Sequence, residues 1–174
     1  MGSRKLILSE SEFKEYKDVP DSERDNKQLM CIKDAQVIDL FKALGGFLFK
    51  IEKNITEQSY QDLLEGCYFT YNGEDYYQEG IKSLLADYAY TRYLYKANIH
   101  LTAFGAKTKQ YEDSTTVSGA TLRDIAKQGQ DDTAVKFELI EMYIKEKFPS
   151  DYIRTNEEGI GTHTSNVWVA GEED

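Results

Sequence analysis

Histidines, cysteines and paired carboxylates are the residues of this chain that could do chemistry, and their spacing favours none of the usual reactions. His100 and His163 are the two histidines among 174 residues, and neither has a Cys, Asp or Glu at metal-ligand spacing. Zinc chemistry therefore lacks its ligands, and His100, inside Asn98-Ile99-His100-Leu101-Thr102, reads as a capping or core residue rather than a base. The acid pairs Glu138 and Glu141, Asp131 and Asp132, and Glu157 and Glu158 are expected by chance in a chain with 31 acidic residues. A working pair needs a cleft that raises one pKa, and these fall where solvent is expected. Gly159-Ile160-Gly161 lacks the preceding strand and third glycine of a dinucleotide fingerprint, and there is no nucleophile elbow or phosphate loop. Cys31 and Cys67 read as two buried thiols in a reducing cytosol, with pairing in space as the alternative. The expectation is no catalytic residue, no cofactor and no metal.

The elements that would position these residues are mostly helical, since abundant helix formers and only two prolines favour an α-rich fold. Residues 4–8 read as a short strand or anchor, Ser9 to Lys17 as a helix, and Val19 to Lys27 as a linker. Asp25 and Gln28 have capping-box spacing ahead of apolar Leu29, Met30, Ile32, Val37, Ile38, Phe41 and Leu44, a helix closed by Gly45-Gly46. Phe47, Phe49 and Ile51 fit either a helix or a short strand. Thr56 is placed to cap a helix with Tyr60, Leu63 and Leu64 on one face, ending at Gly66. Around Asn72-Gly73, Cys67 to Tyr77 fits a hairpin or a loop. From Ile81 to Ala97 the apolar positions cover most of the circumference, which marks a central helix with neighbours on several sides.

That helix gives way at Asn98 to a long polar stretch, Gly105 to Ser118, which exceeds the length of an ordinary connection. Extended as a β-ribbon it would project on the order of 20–25 Å, and a lone ribbon prefers company along its edges. Thr121 to Lys127 reads as a short helical stretch interrupted at Gly129-Gln130-Asp131-Asp132. A last helix is expected from Asp132 with Phe137, Ile140, Ile144 and Phe148 as its stripe, ended by Pro149. The fold class expected is mainly α, a bundle of about four to five helices with a long loop or β-ribbon between the last two long ones. Residues 1–27 form an N-terminal arm or linker, 28–150 the helical domain, and 151–174 an extended acidic arm.

The formal charge of −10 argues against a groove that grips nucleic acid. Residues 151–174 carry six acidic residues against Arg154 alone. With 30% charged residues and no apolar run near 18, a membrane span is not expected, and Met-Gly-Ser-Arg-Lys lacks the apolar stretch of a signal peptide. Trp168, the single tryptophan, sits between Val167 and Val169 in this arm. It reads either as folded back on its own domain or as an anchor for a neighbouring subunit or partner, because tryptophan concentrates binding energy.

Tyr88-Ala89-Tyr90-Thr91-Arg92-Tyr93-Leu94, Asn98, Leu101-Thr102-Ala103-Phe104-Gly105, Lys107, Lys109, Ser114 and Val117 together resemble the head-to-tail connector proteins of tailed bacteriophages, in the variety found in Bacteroidetes and crAss-like phages. Lys33-Asp34-Ala35-Gln36 through Leu44-Gly45 and Tyr60-Gln61-Asp62-Leu63-Leu64 are similar to that family's opening helices, and Tyr143-Ile144-Lys145 to Phe148-Pro149 to its closing helix. The resemblance spans roughly residues 30–150.

It implies a structural virion protein of the phage neck, without catalysis. Such a protein forms a twelvefold ring on itself, joins the portal protein to further neck or tail rings, and lines a conduit through which DNA passes without specific binding. Localisation would be the virion, with synthesis in the host cytoplasm. Heterologous contacts close such rings, and Tyr68, Phe69, Tyr71, Tyr76 and Tyr77 suit them. Lys107, Lys109 and Tyr111 are the expected contacts of the 105–118 loop, and Val167, Trp168 and Val169 those of the arm. The reading from another class is a non-viral cytosolic helical binding or scaffold module.

Overall fold

The chain's longest apolar pattern, that of residues 81–97, becomes the axis of the structure. A computed structural model describes residues 4–20, 26–97, 99–102, 105–108 and 119–152. Its elements run α1 (Glu10–Tyr16), α2 (Lys27–Asp34), a π-helical segment (Ala35–Asp39), α3 (Leu40–Leu44), α4 (Phe47–Lys53), α5 (Gln58–Glu65), β1 (Cys67–Tyr71), β2 (Glu74–Gln78), α6 (Gly80–Ala97), β3 (Ile99–Thr102), β4 (Gly105–Thr108) and α7 (Gly119–Lys147). The fold is mainly α. On α6, Ile81, Leu84, Leu85, Ala86 and Ala89 are fully buried, packed among α2, α5 and α7.

The N-terminal residues join this core. Ser9 caps α1 in a reciprocal box with Glu12, and Ile7, Leu8 and Phe13 are buried with the helices. The anchor for this segment is Gln36 in the π-helical segment. Its side chain accepts from the Ile7 amide at 3.0 Å and donates to the Lys5 carbonyl at 2.9 Å and to Glu52 at 2.7 Å. Three satisfied hydrogen bonds are what allow an amide to sit almost wholly buried there.

Two antiparallel ribbons interrupt the helices. β1 pairs with β2 from Cys67↔Gln78 to Tyr71↔Glu74, and Asn72 and Gly73 take φ of 52° and 85° at the turn, the positive values an Asn-Gly hairpin requires. At its open end Gly66 and Gly80 cross so closely that a Cβ on Gly80 would lie 2.3 Å from the Leu64 carbonyl oxygen. Buried Gln78 fastens this crossing by donating to Asp62 O at 2.7 Å and accepting from the Gly80 amide at 2.6 Å. The second ribbon, β3 with β4, joins α6 to α7 and begins earlier than the polar loop, at Ile99↔Thr108.

Several boundaries differ from the sequence reading. Thr121–Lys127 and the stripe from Asp132 are parts of one helix, α7, 29 residues and about 44 Å long. Gly129 does not break it because packing on α6 holds the helix through this point: Ala126 and Thr133 are buried on either side, and a Cβ at 129 would meet only Thr91 Oγ1, at 3.4 Å. Asp131 and Asp132 are therefore mid-helix, away from the positive end of the dipole. The cap of α2 is Asn26, at φ 45°. Asp25 lies outside the described residues, and Gln28 turns instead to the Pro20 carbonyl. The cap of α5 is Glu57 rather than Thr56. Phe47–Lys53 is helical, not a strand.

At the far end, α7 closes on an aromatic cluster. Phe148 lies 4.9 Å from Tyr60 and 5.5 Å from Phe47 between ring centres, and Phe47 lies 5.7 Å from Tyr152. Glu141, expected in solvent, is buried and accepts from the Tyr152 hydroxyl at 3.0 Å. Its predicted companion Glu138 stays exposed.

Candidate functional site

Two surfaces differ from the ordinary exterior. The first is a cleft of about 530 Å³ lined by Lys17, Tyr90, Leu94, Ile125, Val135 and Lys136 among others. Lys17, Asp87 and Lys136 satisfy one another there, while Asp132, also in the lining, makes no ion pair among the described residues. Asp87 pairs with Lys17 and, at 2.8 Å, with Lys136, which also reaches Glu79 at 2.6 Å and Ser83 at 3.2 Å. Burial works against the charge on Lys136, but hydrogen bonds to Asp87 and Glu79 outweigh it and raise its pKa. Burial likewise opposes ionisation of Glu79, and its bonds to Lys136 and Ser83 prevail and lower its pKa. Nearby, Arg92 holds Asp39 through two hydrogen bonds, at 2.5 and 2.9 Å, and Lys96 meets Asp34 at 2.7 Å. Paired charges of this kind tie α1, α2 and α6–α7 together, and none is left poised as a free acid or base.

The second surface is apolar. Met30 (54% exposed), Val37, Ile38 and Phe41 point outward from α2 to α3, and Phe49 (54% exposed) extends the face from α4. The Phe41 and Phe49 rings are 5.8 Å apart, and Arg4 stands over Phe49 at 5.4 Å. Exposed Lys33, Lys42 and Lys53 lie along the same helices, and among the described residues none of the three makes an ion pair. A contiguous apolar face with a basic rim is the composition of an interaction site rather than of a solvated helix.

A smaller aromatic feature sits on the hairpin. Tyr68, 83% exposed, stacks across the strands on Tyr77 with ring centres 4.8 Å apart. Phe69, grouped with them in the sequence, is buried against Tyr143 instead, and Tyr71 and Tyr76 pack partly on the core. Burial, then the neighbouring Cys67 thiol, pushes the Tyr143 phenol up. Cys31 is buried, which raises its thiol, while Cys67 is half-buried, and both are free.

Of the contacts expected from sequence, Lys107 lies on β4 opposite His100. Lys109, Tyr111, Val167, Trp168 and Val169 lie outside the described residues, as do His163 and Gly159-Ile160-Gly161. No group of His, Cys, Asp and Glu among the described residues could hold a metal, and no described helix is long and apolar enough to cross a membrane. The apolar face itself was missed. Its signal was the adjacent pair Val37-Ile38, since neighbours on a helix are about 100° apart and both cannot face one narrow core stripe.

A family model matches residues 40–157, more than half of the chain; it describes a family of unknown function, DUF6712. The chain belongs to the DUF6712 family. No curated protein and no solved structure matches it. The DUF6712 span runs from α3 through α7, so it includes both ribbons, the α6–α7 cleft, Phe41 and Phe49. Met30, Val37 and Ile38 precede it.

Proposed function

We propose that this chain is a structural protein of a tailed-phage neck, forming a ring that joins the portal to the tail and surrounds the DNA conduit. The observation that carries the reading is the unpartnered apolar face of α2–α4. A single chain gains nothing by leaving Met30, Val37, Ile38, Phe41 and Phe49 in water, and an exposed apolar face of this kind marks a contact site. The face differs from the α6–α7 cleft and from Tyr68 and Tyr77, so the molecule offers unlike surfaces, which head-to-tail contacts use to close a ring. The stretches resembling phage connectors support it: Tyr88–Leu94 lies on α6, Leu101 and Lys107 on the β3–β4 ribbon, and Tyr143–Lys147 at the end of α7. A net charge of −10 also suits a conduit that repels the duplex and lets it slide.

In this reading the twelvefold stoichiometry and the portal as partner come from the resemblance, and the 105–118 segment with Lys107, Lys109 and Tyr111 reaches that partner. The test is mass photometry of the chain alone and mixed with the portal ring of the same genome. A discrete complex with about a dozen copies per portal is expected. A chain that stays monomeric beside the portal overturns the proposal and leaves a soluble binding module.

A further inference from the structure

We infer that the α2–α4 face is the seat of the C-terminal arm, residues 153–174, of a second copy of this chain; the inference rests on the ring reading above. The face is apolar at its centre and basic around it, with Lys33, Lys42 and Lys53 free of ion pairs among the described residues. The arm has the opposite composition. Residues 153–174 carry Glu157, Glu158, Glu172, Glu173 and Asp174 against Arg154, a net −4, with Val167-Trp168-Val169 between the two acidic groups. An apolar triplet flanked by acids matches an apolar face flanked by lysines, and the aromatic rings of Phe41 and Phe49 are suitable neighbours for an indole.

The place where the described chain ends fits as well. Tyr152 packs on Phe47, and Asp151 takes Lys50 at 2.6 Å, so the arm departs from α4, the helix that carries Phe49. Trp168 stands 16 residues further on, a reach of up to about 50 Å when extended, whereas Met30 to Phe41 spans about 17 Å of helix. The arm is therefore long enough to cross to an adjoining copy. Because an arm and a face are unlike surfaces, repeating the contact from copy to copy is head-to-tail, the arrangement a ring needs.

Trp168 is the only tryptophan, which makes it a reporter of the arm. The full chain is made with 5-hydroxytryptophan at that position, excited selectively in the presence of the portal ring. Acrylamide quenching is then measured with dilution and with assembly, alongside mass photometry. Shielding of Trp168 that appears only on assembly is expected. In Met30→Glu with Val37→Glu it should disappear or need at least about tenfold higher concentration, while Glu138→Lys on the exposed side of α7 behaves as wild type. High salt should weaken the shielding, because the lysine rim acts through screened charge.

A ring that forms with Trp168 open to quencher overturns the inference and leaves the ring reading standing. Shielding that is unchanged by dilution places the arm on its own chain and also overturns the inference. Failure to form a ring, with Trp168 open throughout, defeats both readings.

Discussion

The α6–α7 side and the α2–α4 side of this domain answer the same problem in opposite ways. On the first, Lys17 and Lys136 meet Asp87 in the cleft, and Arg92 and Lys96 of α6 meet Asp39 and Asp34 across the contact of α6 with the π-helical segment and α2. On the second, apolar side chains face water, and Lys33, Lys42 and Lys53 beside them make no ion pair among the described residues. The first side is complete within one chain, and the second becomes complete only by acquiring a partner. Stability should therefore respond to substitutions on the first side, and association to substitutions on the second.

The largest expected effect is at Asp87. It is the shared acceptor of Lys17 and Lys136, with its side chain only 11% exposed. Asp87→Ala takes from Lys17 its acceptor and leaves Lys136 with Glu79 and Ser83 alone, and a loss of about 2–3 kcal/mol is expected, or about 5–10 °C of melting temperature for a chain of this size. Thermal unfolding followed by circular dichroism measures it. Lys33→Ala, on the other side, should change stability by less than about 0.5 kcal/mol. Equal effects at the two sites would remove the contrast.

pH sharpens the same comparison. Burial opposes the charge on Glu12 and Lys82 as it does on Glu79 and Lys136, and in each case hydrogen-bonded partners prevail. The carboxylates lie below their ordinary 4.5, so their contribution is fully present above pH 4.5 and is lost as pH falls through the lowered values. The lysines lie above their ordinary 10.5, so their contribution is fully present below pH 10.5 and is lost as pH rises through the raised values. Denaturant midpoints measured across pH should hold a plateau between these limits. In Lys136→Met the alkaline decline should shrink.

The α6–α7 contact provides a gain of stability of about half that size. Gly129 sits inside a 29-residue helix, where alanine is preferred by about 1 kcal/mol. An added Cβ would meet Thr91 Oγ1 at 3.4 Å, a contact the hydroxyl can accept. Gly129→Ala should therefore stabilise the fold by up to about 1 kcal/mol. A loss would show that the helices cannot separate even slightly there.

Much of this arrangement was readable in the chain, for reasons that differ by element. Gly66, Asn72-Gly73 and Pro149 act locally, through backbone conformation, and they marked ends and turns correctly. Gly129 misled because what carries the helix through it is tertiary: Ala126 and Thr133 on either side are buried in the fold. Gln36 was silent in sequence, since its three hydrogen bonds join residues 5, 7 and 52. The exposed face was concealed by the same composition that makes a core. Met30, Val37, Ile38 and Phe41 have helical spacing, and the π-helical segment within them shifts the register at which that stripe meets α6.

The smallest stability effect is the most telling about that face. Met30→Glu with Val37→Glu replaces two side chains about half exposed, and glutamate is no worse a helix former than valine. If the face is bare in the single chain, nothing in the fold depends on it, and the pair should shift unfolding by less than about 0.5 kcal/mol. A loss of 2 kcal/mol or more, roughly the value of burying such side chains, would mean that the single chain already covers the face with its own residues. Thermal unfolding of the full chain at low concentration separates the two cases. It also fixes what any loss of ring assembly in the same variant means, because a fold left intact puts the defect at the contact between copies.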